Sequence, residues 1–189
     1  MARIAPKPAG DELVVKARTD SQALGRLYEL YYGRILRFCL LRVFTREAAE
    51  DVTSEIFLNV ARSIRNFDGR TEQKFRNWLY AIATNLTNAY IRKTLRRNEL
   101  LATATSQKAL SQADCNEKGP EIDWPVLYRA ILQLKPRQQE VIALRFFERL
   151  THKQIAEILS IRTVTVRVTL TRALGKLRKI LQTAPHGDK

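Results

Sequence analysis

The chain has 189 residues, 45% of them apolar, so it can bury a core and wholesale disorder is excluded. Its 33 Lys and Arg against 19 Asp and Glu leave a net charge of +14, which points to a polyanionic partner. No apolar run reaches the ~18 residues of a membrane span, the N-terminus has no signal-peptide core, and glycine-rich phosphate loops are absent.

In chain order, nearly every segment carries a helical period. Asp20 or Ser21 can cap a first helix with Leu24, Leu27, Tyr28, Tyr31, Ile35 and Phe38 on one stripe. Thr45 can cap a second, with Ala49, Val52, Ile56 and Val60 facing inward. Asp51, Glu55 and Leu58 fall at i, i+4 and i+7 off that stripe, an edge suited to a basic partner helix. A polar break spans 66–72. A third helix follows, with Phe75, Trp78, Leu79, Ile82, Leu86 and Ile91, and ends in Arg92, Lys93, Arg96 and Arg97. Phe75 and Trp78 are expected to pack the core.

From about Ala102 to Glu121 the apolar stripe is lost and Gly119-Pro120 closes the stretch, as in a linker. Helices resume at Trp124, and Pro136 suits a first helical turn. Thr151 can cap a short helix, followed by a tight turn at 160–162 and a last helix from Thr163. Residues 163–171 alternate like a strand, but Val166, Leu170, Ala173, Leu174 and Leu177 continue a helical period to Leu181, and the longer period favours a helix. Lys135 to Ile180 holds eleven basic and three acidic residues, more than half of the net charge. This pattern is a helix-turn-helix, whose last helix offers Thr165, Arg167, Thr169, Arg172 and Lys176 to a DNA groove.

Cys39 and Cys115, with His152 and His186, have no zinc-site spacing. Cys39 is expected in the core and Cys115 as a free thiol. Without a disulfide framework, the cytoplasm is the expected compartment. No cofactor, metal or catalytic residue is expected.

Two blocks together carry a family resemblance. The first comprises Ala49-Glu-Asp-Val-Thr-Ser-Glu-Ile-Phe and Phe75-Arg-Asn-Trp-Leu-Tyr-Ala-Ile-Ala-Thr-Asn-Leu. The second comprises Leu134-Lys-Pro-Arg-Gln-Gln-Glu-Val-Ile, Leu144-Arg-Phe-Phe-Glu and Leu150-Thr-His-Lys-Gln-Ile-Ala-Glu-Ile-Leu. Over about 24–97 and 131–181 the chain resembles bacterial RNA polymerase sigma factors of the extracytoplasmic-function group. The resemblance implies an all-α protein of two small helical domains on a flexible linker, the C-terminal one a helix-turn-helix. Its divisions are a flexible tail over 1–19, a region 2-like domain over 20–100, a linker over 101–122, a region 4-like domain over 123–182 and a tail over 183–189. The domains are expected to reorient independently.

It further implies a factor that binds core RNA polymerase and directs promoter-specific initiation, catalysing nothing itself. A stand-alone helix-turn-helix regulator is the alternative. Asp51, Ser54, Glu55 and Leu58 would dock on polymerase. Asn66, Asp68, Arg70, Lys74, Asn85, Arg92, Lys93 and Arg96 would meet the minus-ten element, the loop from Asn66 to Lys74 capturing a flipped base. Arg162, Thr163, Thr165, Arg167, Thr169, Arg172 and Lys176 would read the minus-thirty-five element. Asp114, Glu117 and Glu121 in the linker would mimic a nucleic-acid backbone in the polymerase channels. Such proteins are often held inactive by an anti-sigma factor, which adds a further partner. The chain departs from the family pattern at Ser160 for glycine, Arg162 for proline, Val168 and Thr169 for Ser and Arg, Ala89 for aspartate and Ser54 for glutamine.

Overall fold

A computed structural model describes residues 10–43, 45–102 and 124–183. The described residues form helices and turns without a strand. Helices α1 (Gly10–Lys16), α2 (Ser21–Val43), α3 (Arg46–Ser63) and α4 (Glu72–Ala102) build the first unit, with a 3-10 turn at Ile64–Asn66. Helices α5 (Trp124–Leu132), α6 (Pro136–Ile142), α7 (His152–Leu159) and α8 (Thr163–Thr183) build the second, with a π turn at Ala143–Phe147 after α6.

Local chemistry sets these boundaries. The Thr45 hydroxyl accepts from the Ala48 N–H and starts α3. Thr71 does the same for Lys74 at the start of α4. Pro136 stands in the first turn of α6, where a missing N–H costs nothing. Thr151 and Gln154 form a reciprocal capping box on α7. The segment 163–183 is one helix, so the period ending at Leu181 wins over the local β-branched alternation.

The expected stripes form the first core. Leu27, Tyr31, Ile35 and Phe38 of α2 meet Ala49, Val52, Ile56 and Val60 of α3 and Phe75 and Leu79 of α4, all buried. Cys39 is buried as expected, and burial pushes its thiol pKa up. The second unit has its own core of Ala130, Ile131, Leu134, Ile142, Ala173 and Leu177. Two stripe positions differ from expectation: Tyr28 and Leu174 are exposed, because the partner helices cover a narrower arc than the apolar pattern suggests.

Two further expectations are corrected. The flexible tail through residue 19 is not met over Gly10–Lys16, which is helical, with Leu13, Val14 and Ala17 buried against the first unit. The two units are not independent either, because they pack on each other. One buried cluster runs from Leu13 to Val166 across both. At this seam the Tyr80 hydroxyl donates to Glu148, whose Oε2 lies 3.4 Å from Arg34 Nε. Arg42 is fully buried, with Nη2 2.6 Å from Asn88 Oδ1 and 3.5 Å from Glu140 Oε1. Asn77 Nδ2 donates to Glu157 at 2.7 Å, and the Tyr128 hydroxyl to the Leu40 carbonyl at 2.9 Å. Complementary charges and apolar contacts on elements distant in sequence hold the seam, and helical periodicity carries no trace of them. The linker residues 103–123, with Asp114, Cys115, Glu117 and Glu121, and the ends 1–9 and 184–189 lie outside the described residues.

Candidate nucleic-acid interface

The turn between α7 and α8 is closed by Ser160 in the left-handed conformation, φ 51° and ψ 47°. The Ile161 N–H then bonds back to the Ala156 carbonyl at 3.0 Å, a helix-ending pattern in which glycine is the unstrained residue. Val166 plugs into the α7 side of the core and fixes the rotation of α8. That rotation leaves Arg162, Thr165, Arg167, Arg172 and Lys176 exposed, and Thr163 and Thr169 half-buried. Long cations and short hydroxyls therefore line the outer face of a helix narrow enough to enter a major groove. Lys176 is also engaged within the protein, donating to the Gln133 carbonyl.

Val164 and Val168, one turn apart, are exposed on this helix, Val164 at 65%. They were absent from the sequence-predicted set. Their signal was available, since neither belongs to the stripe of Val166, Leu170, Ala173 and Leu177. Apolar side chains in such a place match thymine methyl groups.

The second basic surface lies along α4. Lys74, Asn85, Arg92 and Arg96 are exposed. At about 3.6 residues per turn they fall within about 40° of each other around the helix and along about 33 Å of its length. Lys93 is exposed beside them, and Arg97 lies outside the described side chains. At the N-terminal end of this line Asn66, Asp68 and Arg70 are exposed on the loop before α4. Phe75 is fully buried, whereas Trp78 is half-buried and stacks on the loop's Phe67, ring centroids 4.7 Å apart.

On α3, Asp51, Ser54, Glu55 and Leu58 are all exposed along one edge, Leu58 at 49%. The sequence-predicted docking residues are thus brought together. Beside them lies an aromatic cluster: Tyr28 packs edge-on against Phe57 at 4.8 Å and Tyr32 lies 5.1 Å from Tyr28. This cluster was missed because Tyr28 fits the core stripe of α2. No group of His, Cys, Asp and Glu among the described residues could hold a metal ion.

Comparison with known proteins decides the family. Residues 27–97 match the model of sigma-70 region 2, and residues 126–177 match sigma-70 region 4. The chain is 31% identical to the extracytoplasmic-function RNA polymerase sigma factor SigW of Bacillus subtilis, over 90% of this chain and 98% of that protein. The chain belongs to the extracytoplasmic-function group of the sigma-70 family.

A further relative, the sigma factor BldN of Streptomyces coelicolor, is 30% identical over 93% of this chain and 69% of its own length. The fold is that of CnrH, solved with the cytosolic domain of CnrY, at TM-score 0.68 and 19% identity over 93% of this chain and 98% of that one. It is equally that of RpoE of Bartonella quintana, solved with the anti-sigma factor NepR, at TM-score 0.69 and 19% identity over 85% and 97%. This sigma factor directs transcription initiation and is not a stand-alone regulator, since the first unit is a sigma region 2. No described helix is long and apolar enough to cross a membrane.

Proposed function

We propose that this sigma factor docks on core RNA polymerase through the α3 edge of Asp51, Ser54, Glu55 and Leu58. The α4 face of Lys74, Asn85, Arg92, Lys93 and Arg96, with the loop residues Asn66, Asp68 and Arg70, meets the minus-ten element. Helix α8 meets the minus-thirty-five element through Arg162, Thr163, Thr165, Arg167, Thr169, Arg172 and Lys176. The observation that carries the reading is the separation of charge: an exposed acidic and apolar edge on α3 stands apart from two exposed basic helix faces. An edge with two carboxylates is repelled by phosphates and attracts a basic protein surface.

The packed arrangement bears on both DNA contacts. Minus ten and minus thirty-five lie about 25 base pairs apart, roughly 85 Å of duplex, whereas a compact chain of this size has a radius of gyration of about 16 Å. Both elements are reached only when the seam parts. The polymerase edge is exposed with the seam closed, so docking does not require the seam to open first. An anti-sigma factor is proposed as the partner that holds the units together, on the example of the related fold of RpoE, solved with the anti-sigma factor NepR. The site of action is the bacterial cytoplasm. The protein contributes binding and base capture to initiation, and bond-making is left to the polymerase.

A co-purification experiment tests the docking reading. The pair Asp51→Lys and Glu55→Lys should abolish association with core polymerase at moderate salt while leaving helix content and melting unchanged. Retained association would place the docking face elsewhere.

A further inference from the structure

The loop before α4 is gripped by a residue far from it in sequence. The Arg18 Nη2 donates to the Gly69 carbonyl at 2.6 Å. The same guanidinium lies 5.9 Å from the centroid of the Phe67 ring, within the range of a cation–π contact. Its Nε is enclosed without a hydrogen-bond partner. Phe67 in turn stacks on Trp78 at 4.7 Å. Gly69 is buried beneath that ring, and a Cβ there would fall 2.2 Å from the ring's far carbon. Seven residues earlier on the same N-terminal segment, Asp11 Oδ1 accepts from the Glu72 N–H at 2.7 Å. That bond satisfies one of the free N–H groups that open α4. The segment 11–18 therefore holds both the middle of the loop and the helix start that follows it.

The exposed residues of this loop are Asn66, Asp68 and Arg70, which alternate with the gripped Phe67 and Gly69. Fixing the alternate residues fixes the direction in which the exposed ones project. We propose that Arg18 is a positioning residue for minus-ten recognition: it sets the geometry of the 66–70 loop without touching DNA. The inference rests on the reading that this loop meets the minus-ten element. A bare spacer before α2 has no need of a half-buried guanidinium held between a loop carbonyl and a loop ring.

The test uses holoenzyme assembled from core polymerase and the full chain, on a promoter selected with the unaltered chain from a genomic library. Transcription is compared between that promoter and copies bearing single-base changes in the minus-ten or the minus-thirty-five element. Arg18→Ala should lower discrimination at the minus-ten position by about tenfold, the scale of a lost base contact or a small misplacement. Polymerase affinity and discrimination at minus thirty-five should stay within about twofold, which a general loss of folding would not allow. Arg18→Lys, which keeps a donor for the Gly69 carbonyl, should recover part of the loss. Gly69→Ala, which displaces the Phe67 ring from the other side, should reproduce it. Where Arg18→Ala does not fold, Arg18→Met keeps the aliphatic stem over Phe67 and removes the donor.

The variant Asn66→Ala/Asp68→Ala separates the two levels. If it loses minus-ten discrimination while Arg18→Ala and Arg18→Met keep it, the positioning role is overturned and the loop reading survives. If it keeps full discrimination, the loop reading falls and the inference with it.

Discussion

Replacing Glu140 by glutamine tests the seam most sharply. Arg42 is fully buried, and burial alone lowers its pKa, an effect the Glu140 carboxylate opposes. Glu140 also takes Arg137 Nη1 at 2.7 Å, so one carboxylate serves a guanidinium from each unit. Glutamine keeps the shape and an acceptor oxygen but removes the charge. Stripping one partner from a buried ion pair costs about 3–5 kcal/mol. The longer 3.5 Å contact and the retained Asn88 partner bring this case below that range, to about 2–3 kcal/mol. The cost applies only while Arg42 is covered, and opening the seam rehydrates it. The loss in global stability is therefore capped by the free energy of closing, and the remainder appears as opening. Small-angle scattering should show the radius of gyration rising from about 16 Å to about 20 Å or more. Urea unfolding should show a smaller loss than the full electrostatic cost. The double variant Arg42→Met/Glu140→Gln removes the stranded charge and should recover at least about 1.5 kcal/mol relative to additivity. A Glu140→Gln protein that stays compact, loses no stability and shows no coupling to Arg42 would refute the reasoning.

Three further outcomes follow from single residues. Burial, with the charge of Glu148 and the hydrogen bond to it, raises the Tyr80 phenol far above its ordinary value of 10.0. The raised value favours the folded state below pH 10 and loses that contribution as pH climbs above it, by about 1.4 kcal/mol per unit. Tyr80→Phe should therefore be less stable than the unaltered chain at pH 7, by about 1–3 kcal/mol, and the gap should close above pH 10; a pH-independent gap in denaturant melts would contradict this. Ser160→Gly removes a side chain from a φ of 51° and should stabilise by about 0.5–1 kcal/mol, raising the melting temperature by about 1–4 °C; a lower melting temperature would speak against strain at this turn. Arg167→Ala and Arg172→Ala should each weaken promoter binding, by about 1–3 kcal/mol for a base contact or with a shallower salt slope for a phosphate contact; unchanged affinity and slope in both would remove α8 from the interface.

Much of this was legible in the sequence because it is local. The capping residues Thr45 and Thr151, Pro136 in a first turn and the stripes of α2, α3 and α8 act within a few residues of themselves. The α3 edge could be found by subtracting its buried stripe. What escaped depends on contacts across the chain. Helix α1 has seven residues, too few to be stable alone, and forms because Leu13 and Val14 have a core to enter. Arg42, Glu140 and Glu148 carry charges that pattern reasoning assigns to solvent, yet all are buried where the second unit meets the first. The grip of Arg18 on Gly69 joins residues 51 positions apart, and no period connects them. The exposure of Tyr28 and Leu174 shows the same limit: a stripe gives direction but not the width of the surface that covers it.

The most direct measurement is promoter-specific transcription with purified components. Core bacterial RNA polymerase is mixed with this chain and a genomic library, and the start sites are mapped. The expected result is a small set of starts sharing sequence near minus ten and minus thirty-five, absent without the chain and lost with Asp51→Lys/Glu55→Lys. Starts that are unchanged by adding the chain, or that appear without any shared upstream sequence, would contradict the account.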